Sequence, residues 1–488
     1  MTEEEKKRIT RRKYLKYVGA GVVVVGVAGA AAYYGTLPPS PPTPTETTTL
    51  APATTSEVTA ASSTPSLTPL TFVRWHYNDT AVTGYVKQFE QELNESVTEE
   101  ILENVNYTSL VDAKFQAGEK FDLLYAVAGQ EFRWLDLGYT QDLESMSEIN
   151  KIKADFYPDI LEDFKDMNGK LAGLPYFWCP MCNPYVNDAI LEKAGIGGQR
   201  PETWDELWAM ARKVKSTGAS RYPVLPHWAD VGLGGIGWAF LAEMSNIYND
   251  IDLTKTLFAK DFHPVFDTNT EIAELLTNWQ RVVKEGLIDP GVLSAGENDM
   301  FSLSLSGIHA FVSSRLYFWK AMNDPASSKC IPEKLHMVPA TSKQGWGEIN
   351  SGFYLWPKNN TDPERSERLM KFFGWKDPTT GKRLTATAWA KSDALLSGYS
   401  DVLSDPDVIA AFTLWLGDRV DETFKAIDSI RPTMAVPWIW KSPVYTEWIE
   451  TGFSTLSAVA IGQTSVKDGI TQLRSLADSL YKKYYGGS

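Results

Sequence analysis

The chain carries few of the residues that perform covalent chemistry. Of its 488 residues only three are cysteine and five are histidine. Three cysteines cannot build a disulfide scaffold, so packing must hold the body together. The histidines, His76, His227, His263, His309 and His336, stand apart in sequence. There is no His-Glu-x-x-His, no Gly-x-Ser-x-Gly and no glycine-rich phosphate loop, so neither a metal nor a cofactor is expected. The formal charge is −14 and the body has no basic cluster. That excludes a nucleic-acid partner, which would need grouped Lys and Arg. No internal repeat is present.

The N-terminus does carry a signal. A basic flank, "KKRITRRKYLKY", precedes Val18–Tyr34, seventeen residues without a charge. As a helix that run spans roughly 25 Å, at the lower limit for crossing a bilayer, and the flank keeps its start in the cytoplasm. Thr10–Lys16 resembles a twin-arginine export motif, with Tyr14 where Phe is usual; an ordinary anchor is the alternative. Either reading puts the body outside the cell, tethered to the outer face of the cytoplasmic membrane. Ala30–Ala32 would permit cleavage, and no nearby cysteine could carry a lipid. Residues 1–35 are thus read as signal or anchor. From Thr36 to Leu70, 24 of 35 residues are Ser, Thr or Pro. Such a segment buries too little apolar surface to fold and reads as a stalk, which weighs against cleavage. Asn78, Asn94, Asn106 and Asn359 begin glycosylation sequons.

The body, from Thr71 onward, alternates strand and helix. "LTFVRWHY" reads as a buried strand, Ala81–Leu93 as an amphipathic helix, "ENVNYT" as a second strand, "LVDAKFQAGE" as a short helix and Phe121–Gly129 as a third strand. This pattern builds a mostly parallel sheet covered by helices, with ligands at the strand C-terminal ends. Later helices follow Thr203, Thr268 and Asp362, and two more are split by Gly462. Length and content give an α/β fold with two lobes.

The order of segments resembles the extracellular solute-binding proteins of ABC importers, in the sugar- and oligosaccharide-carrying, maltose-binding-protein-like family. The likeness rests on "NGKLAGLPY" (Asn168–Tyr176), "PETWDEL" (Pro201–Leu207), "LGYTQDLE" (Leu137–Glu144), a loose match at Phe301–Trp319 and the final helical region. It implies a two-lobed periplasmic-binding-protein-like fold of type II, with a ligand cleft between lobes and hinge crossings near Phe177, Gly352 and Leu395. Lobe I would comprise 71–177 and 350–395, and lobe II 178–349 and 396–488. The lobes would close on a solute and present it to the ABC permease transmembrane subunits, with no reaction and no second copy of the chain required. A glycoside hydrolase and a structural or adhesive surface protein are the alternatives.

Seventeen tryptophans suit a carbohydrate ligand, because an indole covers the C–H face of a pyranose while polar groups take its hydroxyls. The loop after the first strand offers Tyr77, Asn78 and Asp79, and the loop after the third offers Gln130 and Glu131. Loops rich in proline or polar residues offer Trp178 and Trp228; Trp238, Trp319, Trp389 and Trp438 complete the candidate ligand-binding set. Trp204, Trp208, Trp279, Trp415 and Trp448 lie on helix faces and are read as core. Trp178→Ala is expected to cost at least ~2 kcal/mol of affinity with little loss of fold. Cys179 and Cys182 have the spacing of redox thiols or of half a zinc site. Zinc needs four ligands, whereas only Cys330 remains. A local disulfide between Cys179 and Cys182, stiffening the loop beside Trp178, is expected instead.

Overall fold

The computed structural model describes residues 68–486, apart from 104–105, 128, 148, 181, 229–234, 314, 338–348, 359–361, 375, 377–380 and 432–437. The uncharged run Val18–Tyr34, almost all of the stalk and Asn359 lie outside the described residues.

Two sheets organise the body. The first holds β1 (Leu70–Trp75), β2 (Val97–Leu102), β3 (Leu123–Val127), β4 (Leu174–Pro180) and β9 (Ile349–Leu355), in the order β2-β1-β3-β9-β4. β1 runs parallel to both β2 and β3, whereas β9 is antiparallel to β3 and β4. The second sheet holds β5 (Pro184–Asn187), β6 (Val224–Leu225), β7 (Phe311–Ser313) and β8 (Leu335–Met337), in the order β6-β7-β5-β8. The chain therefore passes from the first sheet to the second between Pro180 and Pro184, and returns between Met337 and Ile349. Gly352 in β9 leaves the space that Tyr176 occupies, since a Cβ there would lie 2.5 Å from the tyrosine ring.

The strand expected at "ENVNYT" is corrected. The second strand is β2, and Tyr107 already opens the helix Tyr107–Gln116. β2 is an edge strand and carries adjacent acids, so its sequence lacks the apolar alternation of a half-buried strand. Glu99 instead faces the fully buried Arg74 of β1 at 2.6 Å. Other boundaries follow local chemistry. The Asn78 side chain caps the helix Asp79–Leu93 from a left-handed conformation that asparagine tolerates. Thr203 caps Trp204–Ser216, and Ser465 caps Val466–Tyr485.

The disulfide is corrected as well. Cys179, Cys182 and Cys330 are all buried thiols. Cys179 is extended in β4, opposite Asn350, while Cys182 sits in a left-handed bend at φ 57°. Burial pushes the Cys179 thiol up to about 12, so it stays protonated and packs as a small apolar group.

Trp178 ties β4 to the segment Leu396–Ser397. Its backbone N–H donates to Leu396 O at 2.8 Å and its indole N–H to Ser397 O at 2.9 Å, with the ring 1% exposed. The separation of affinity from folding expected for Trp178→Ala is therefore withdrawn. Truncation should cost about 3–5 kcal/mol of stability, and Trp178→Phe less, about 2 kcal/mol for the lost hydrogen bond and the smaller void. Denaturant midpoints of the two variants check this.

Candidate functional site

Two stacks of aromatic rings, one rooted in each sheet, converge on a cavity. The first begins at Tyr125 of β3, which stacks on Tyr176 of β4 (centroids 4.8 Å apart, planes at 25°). Tyr176 stacks on Trp389 (5.5 Å, 26°), and Trp389 on Tyr77 (5.7 Å, 26°). Trp389 lies on the helix Leu384–Asp393, which packs on the helix Asp79–Leu93. The second stack begins at Tyr185 of β5, which lies 5.3 Å from Trp319 at 27°. Trp319 meets Trp415 edge-on at 5.3 Å.

The cavity holds about 710 Å³, and its wall includes the outer members of both stacks, Tyr77 and Trp415. Phe301 and Phe318, edge-to-face at 5.0 Å, add two more rings. Asn298, Lys320, Asp324, Lys391 and Asp393 supply polar groups. Two lysines thus face two aspartates, and the wall carries no net charge. Asp393 is held from two sides, accepting from Asn78 Nδ2 at 2.5 Å and from the Ser392 hydroxyl at 2.7 Å. A volume of this size, with aromatic faces and a few fixed polar groups, suits a small polyhydroxyl ligand.

Of the candidates from sequence, Tyr77 lines the cavity. Asn78 orients Asp393, Trp389 backs Tyr77 and Trp319 backs Trp415. Asp79 turns away to Arg74 (2.5 Å) and His76 (2.7 Å). Burial alone would raise its pKa, but those partners outweigh burial and hold the carboxyl below its usual range.

The remaining candidates lie elsewhere. Gln130 accepts from Val127 N and donates to Thr108, tying the β3 loop together. Glu131, next along the helix Gln130–Asp136, is fully buried, and burial pushes its carboxyl up to about 8 against a weak pull from Lys441. Lys441 closes the 3-10 turn Trp438–Lys441, where Trp438 is half-buried, donates to Lys260 O and stacks on Phe262. Trp238 stacks on His227 at 6.5 Å and has the Arg315 guanidinium 5.6 Å from its ring. Burial, reinforced by Arg315, drives the His227 pKa well down and keeps it neutral. Trp228 is fully buried against Trp279 at 4.6 Å.

Sequence reasoning missed Phe301, Phe318, Lys320, Asp393 and Trp415. For Trp415 one signal was available. The run "AFTLWL" is broken only by Thr413, too uniformly apolar to be buried all round on one helix, and the structure indeed leaves Leu414 89% exposed. Among the described residues no group of three His, Cys, Asp or Glu could hold a metal ion.

Comparison with known proteins identifies the family and the fold. Residues 84–411 match the profile of the family described as bacterial extracellular solute-binding protein. A binding protein of Brucella abortus (strain 2308) is 24% identical over 213 residues, 43% of this chain and 48% of that protein. The chain thus spans about half the length of the curated relatives it matches. Among solved structures, maltose-bound MalE3 of T. maritima superposes with a TM-score of 0.66 at 18% identity, over 84% of this chain and 99% of that one. A solute-binding protein of Agrobacterium vitis S4 with bound D-mannitol gives 0.64 at 18% identity, over 85% and 98%. The cyclic alpha-maltosyl-1,6-maltose binding protein of Arthrobacter globiformis gives 0.64 at 16%, over 85% and 100%. These likenesses establish a two-lobed binding-protein fold.

Proposed function

Because the chain belongs to the bacterial extracellular solute-binding protein family, we propose that it binds a neutral di- or oligosaccharide between its two halves and delivers it, unaltered, to an ABC permease. The cavity carries this reading: four aromatic rings and a balanced set of charges surround about 710 Å³. Tyr77, Phe301, Phe318 and Trp415 offer flat faces to the C–H side of a sugar ring, and Asn298, Asp324 and Lys391 lie where hydroxyls need partners. Maltose and D-mannitol in the similar structures support a polyhydroxyl, uncharged ligand. In this reading Asn78, Trp319 and Trp389 support the wall, Trp178 and Trp228 pack, and Gln130, Glu131, Trp238 and Trp438 lie outside the cavity wall.

The N-terminal run and stalk would tether the body at the outer face of the membrane. Asn94 and Asn106 are exposed and available to carry glycans, whereas the Asn78 amide is engaged by Asp393.

A thermal-shift screen of neutral mono-, di- and oligosaccharides tests the reading. A ligand at one hundred times its Kd stabilises the folded state by about 2.7 kcal/mol, so a true ligand raises the midpoint by several degrees. No shift with any saccharide rejects the sugar assignment. Appearance of shorter saccharides in the same mixtures favours a glycoside hydrolase instead.

A further inference from the structure

One acid on the cavity wall stands where helix chemistry disfavours it. Asp393 is the last residue of the helix Leu384–Asp393. The closing carbonyls of a helix carry the negative end of its dipole, which favours a cation over a carboxylate. The Asp393 Oδ2 accepts from Asn78 Nδ2 at 2.5 Å and from the Ser392 hydroxyl at 2.7 Å. Its Oδ1 has no hydrogen-bond partner among the described residues, although Asp393 lines the cavity. A residue that breaks a local rule and keeps one charged oxygen uncommitted marks a functional position.

The orientation of that carboxylate is fixed. Asn78 is held by the helix it caps: its Oδ1 accepts from Ala81 N, which leaves the amide N–H groups for Asp393. Trp389 lies one turn before Asp393 on the same helix and backs Tyr77. Residues four apart share a helix face, so an aromatic ring and a carboxylate oxygen reach the wall together. The lysines of the wall are already engaged. Lys320 donates to the backbone carbonyls of Lys391, at 3.1 Å, and Ser392, and Lys391 Nζ lies 3.8 Å from Asp407. The charged atom left open on this side of the cavity is thus an acceptor.

We infer that Asp393 is the specificity-determining residue of the cavity, its Oδ1 accepting a hydrogen bond from one hydroxyl of the bound saccharide while Asn78 positions it; this rests on the ligand reading given above. A site built around a charged acceptor rejects an analogue that cannot donate, because the carboxylate is then left without a partner. The solute class is thereby narrowed to saccharides with a free hydroxyl at that position, and the deoxy and ether forms are refused.

The test is titration calorimetry with the saccharide that raises the thermal midpoint most in the screen above, and with its monodeoxyfluoro derivatives. Fluorine keeps about the size of a hydroxyl but cannot donate. In the unaltered protein, fluorination at one position should weaken binding roughly tenfold or more, the scale of a hydrogen bond to a charged group. In Asp393→Asn the amide oxygen stays with Asn78 and Ser392, and the NH2 group takes the place of Oδ1. The loss at that same position should then fall below about threefold, with the other positions unchanged. Asp393→Ala, which removes the acceptor outright, should abolish the same loss. A position-specific loss that persists in both variants, or a uniform weakening of every derivative, overturns the assignment and leaves the ligand reading standing. If no saccharide binds the unaltered protein, the ligand reading fails and the assignment falls with it.

Discussion

Replacing Glu131 and Glu243 together by glutamine is expected to make the protein markedly more stable at pH 8 and to leave it nearly unchanged at pH 4.5. Both carboxyls are buried, and burial pushes each up to about 8 from an ordinary value of 4.5. Lys441 opposes the shift weakly at Glu131, and the Trp279 indole, donating at 2.9 Å, opposes it at Glu243. A carboxyl whose pKa is raised on folding gives its full stabilisation below the unfolded value. That stabilisation is lost as pH rises towards the folded value, because the unfolded chain releases the proton first. Each carboxyl therefore removes stability steadily as pH rises from 4.5 towards 8, on the order of a few kcal/mol in all. Glutamine keeps the shape and an acceptor for Trp279 but carries no proton to lose. Urea unfolding at pH 5 and pH 8 checks this: the unaltered protein should lose stability between the two, and the double variant should lose much less. A flat profile for the unaltered protein would mean that both carboxylates are charged and matched in the folded state.

Tyr77→Ala and Trp415→Ala should each weaken saccharide binding by about 2 kcal/mol or more, roughly thirtyfold, the scale of an aromatic anchor at the centre of a binding surface. Both residues line the cavity, and each is backed by a buried tryptophan that stays in place. Fold stability should change little by comparison. Trp389→Ala gives the contrast. Its ring is 1% exposed between two tyrosines, so truncation should lower stability by about 3–5 kcal/mol before any effect on binding is read. Titration calorimetry separates the cases, and an unchanged Kd for both Tyr77→Ala and Trp415→Ala would remove the cavity from the ligand assignment.

The parts of this fold that were legible in the sequence are those decided locally. β1 and β3 are apolar runs, and Thr203 and Ser465 mark helix starts by side-chain chemistry that acts within three residues. β2 was not legible, because Glu99 and Glu100 are accommodated by an edge position and by Arg74, and neither is visible from spacing. The cavity was half legible. Tyr77, Trp319 and Trp389 could be singled out as aromatics, but their meeting with Trp415 and Asp393 depends on contacts between residues far apart in the chain. Lys320 gave no signal at all. Its partners are backbone carbonyls on another helix, so no residue type advertises them. Conversely, Cys179 and Cys182 gave a clear signal that the backbone overrules, since one is extended in a strand and the other turns left-handed beyond it.

The paired ring stacks have an optical consequence. Each brings an indole at or directly behind the cavity wall, Trp415 in one and Trp389 beneath Tyr77 in the other. A solute displacing water from those faces would alter the polarity around the chromophores, so ultraviolet emission from the unlabelled protein can report occupancy by itself.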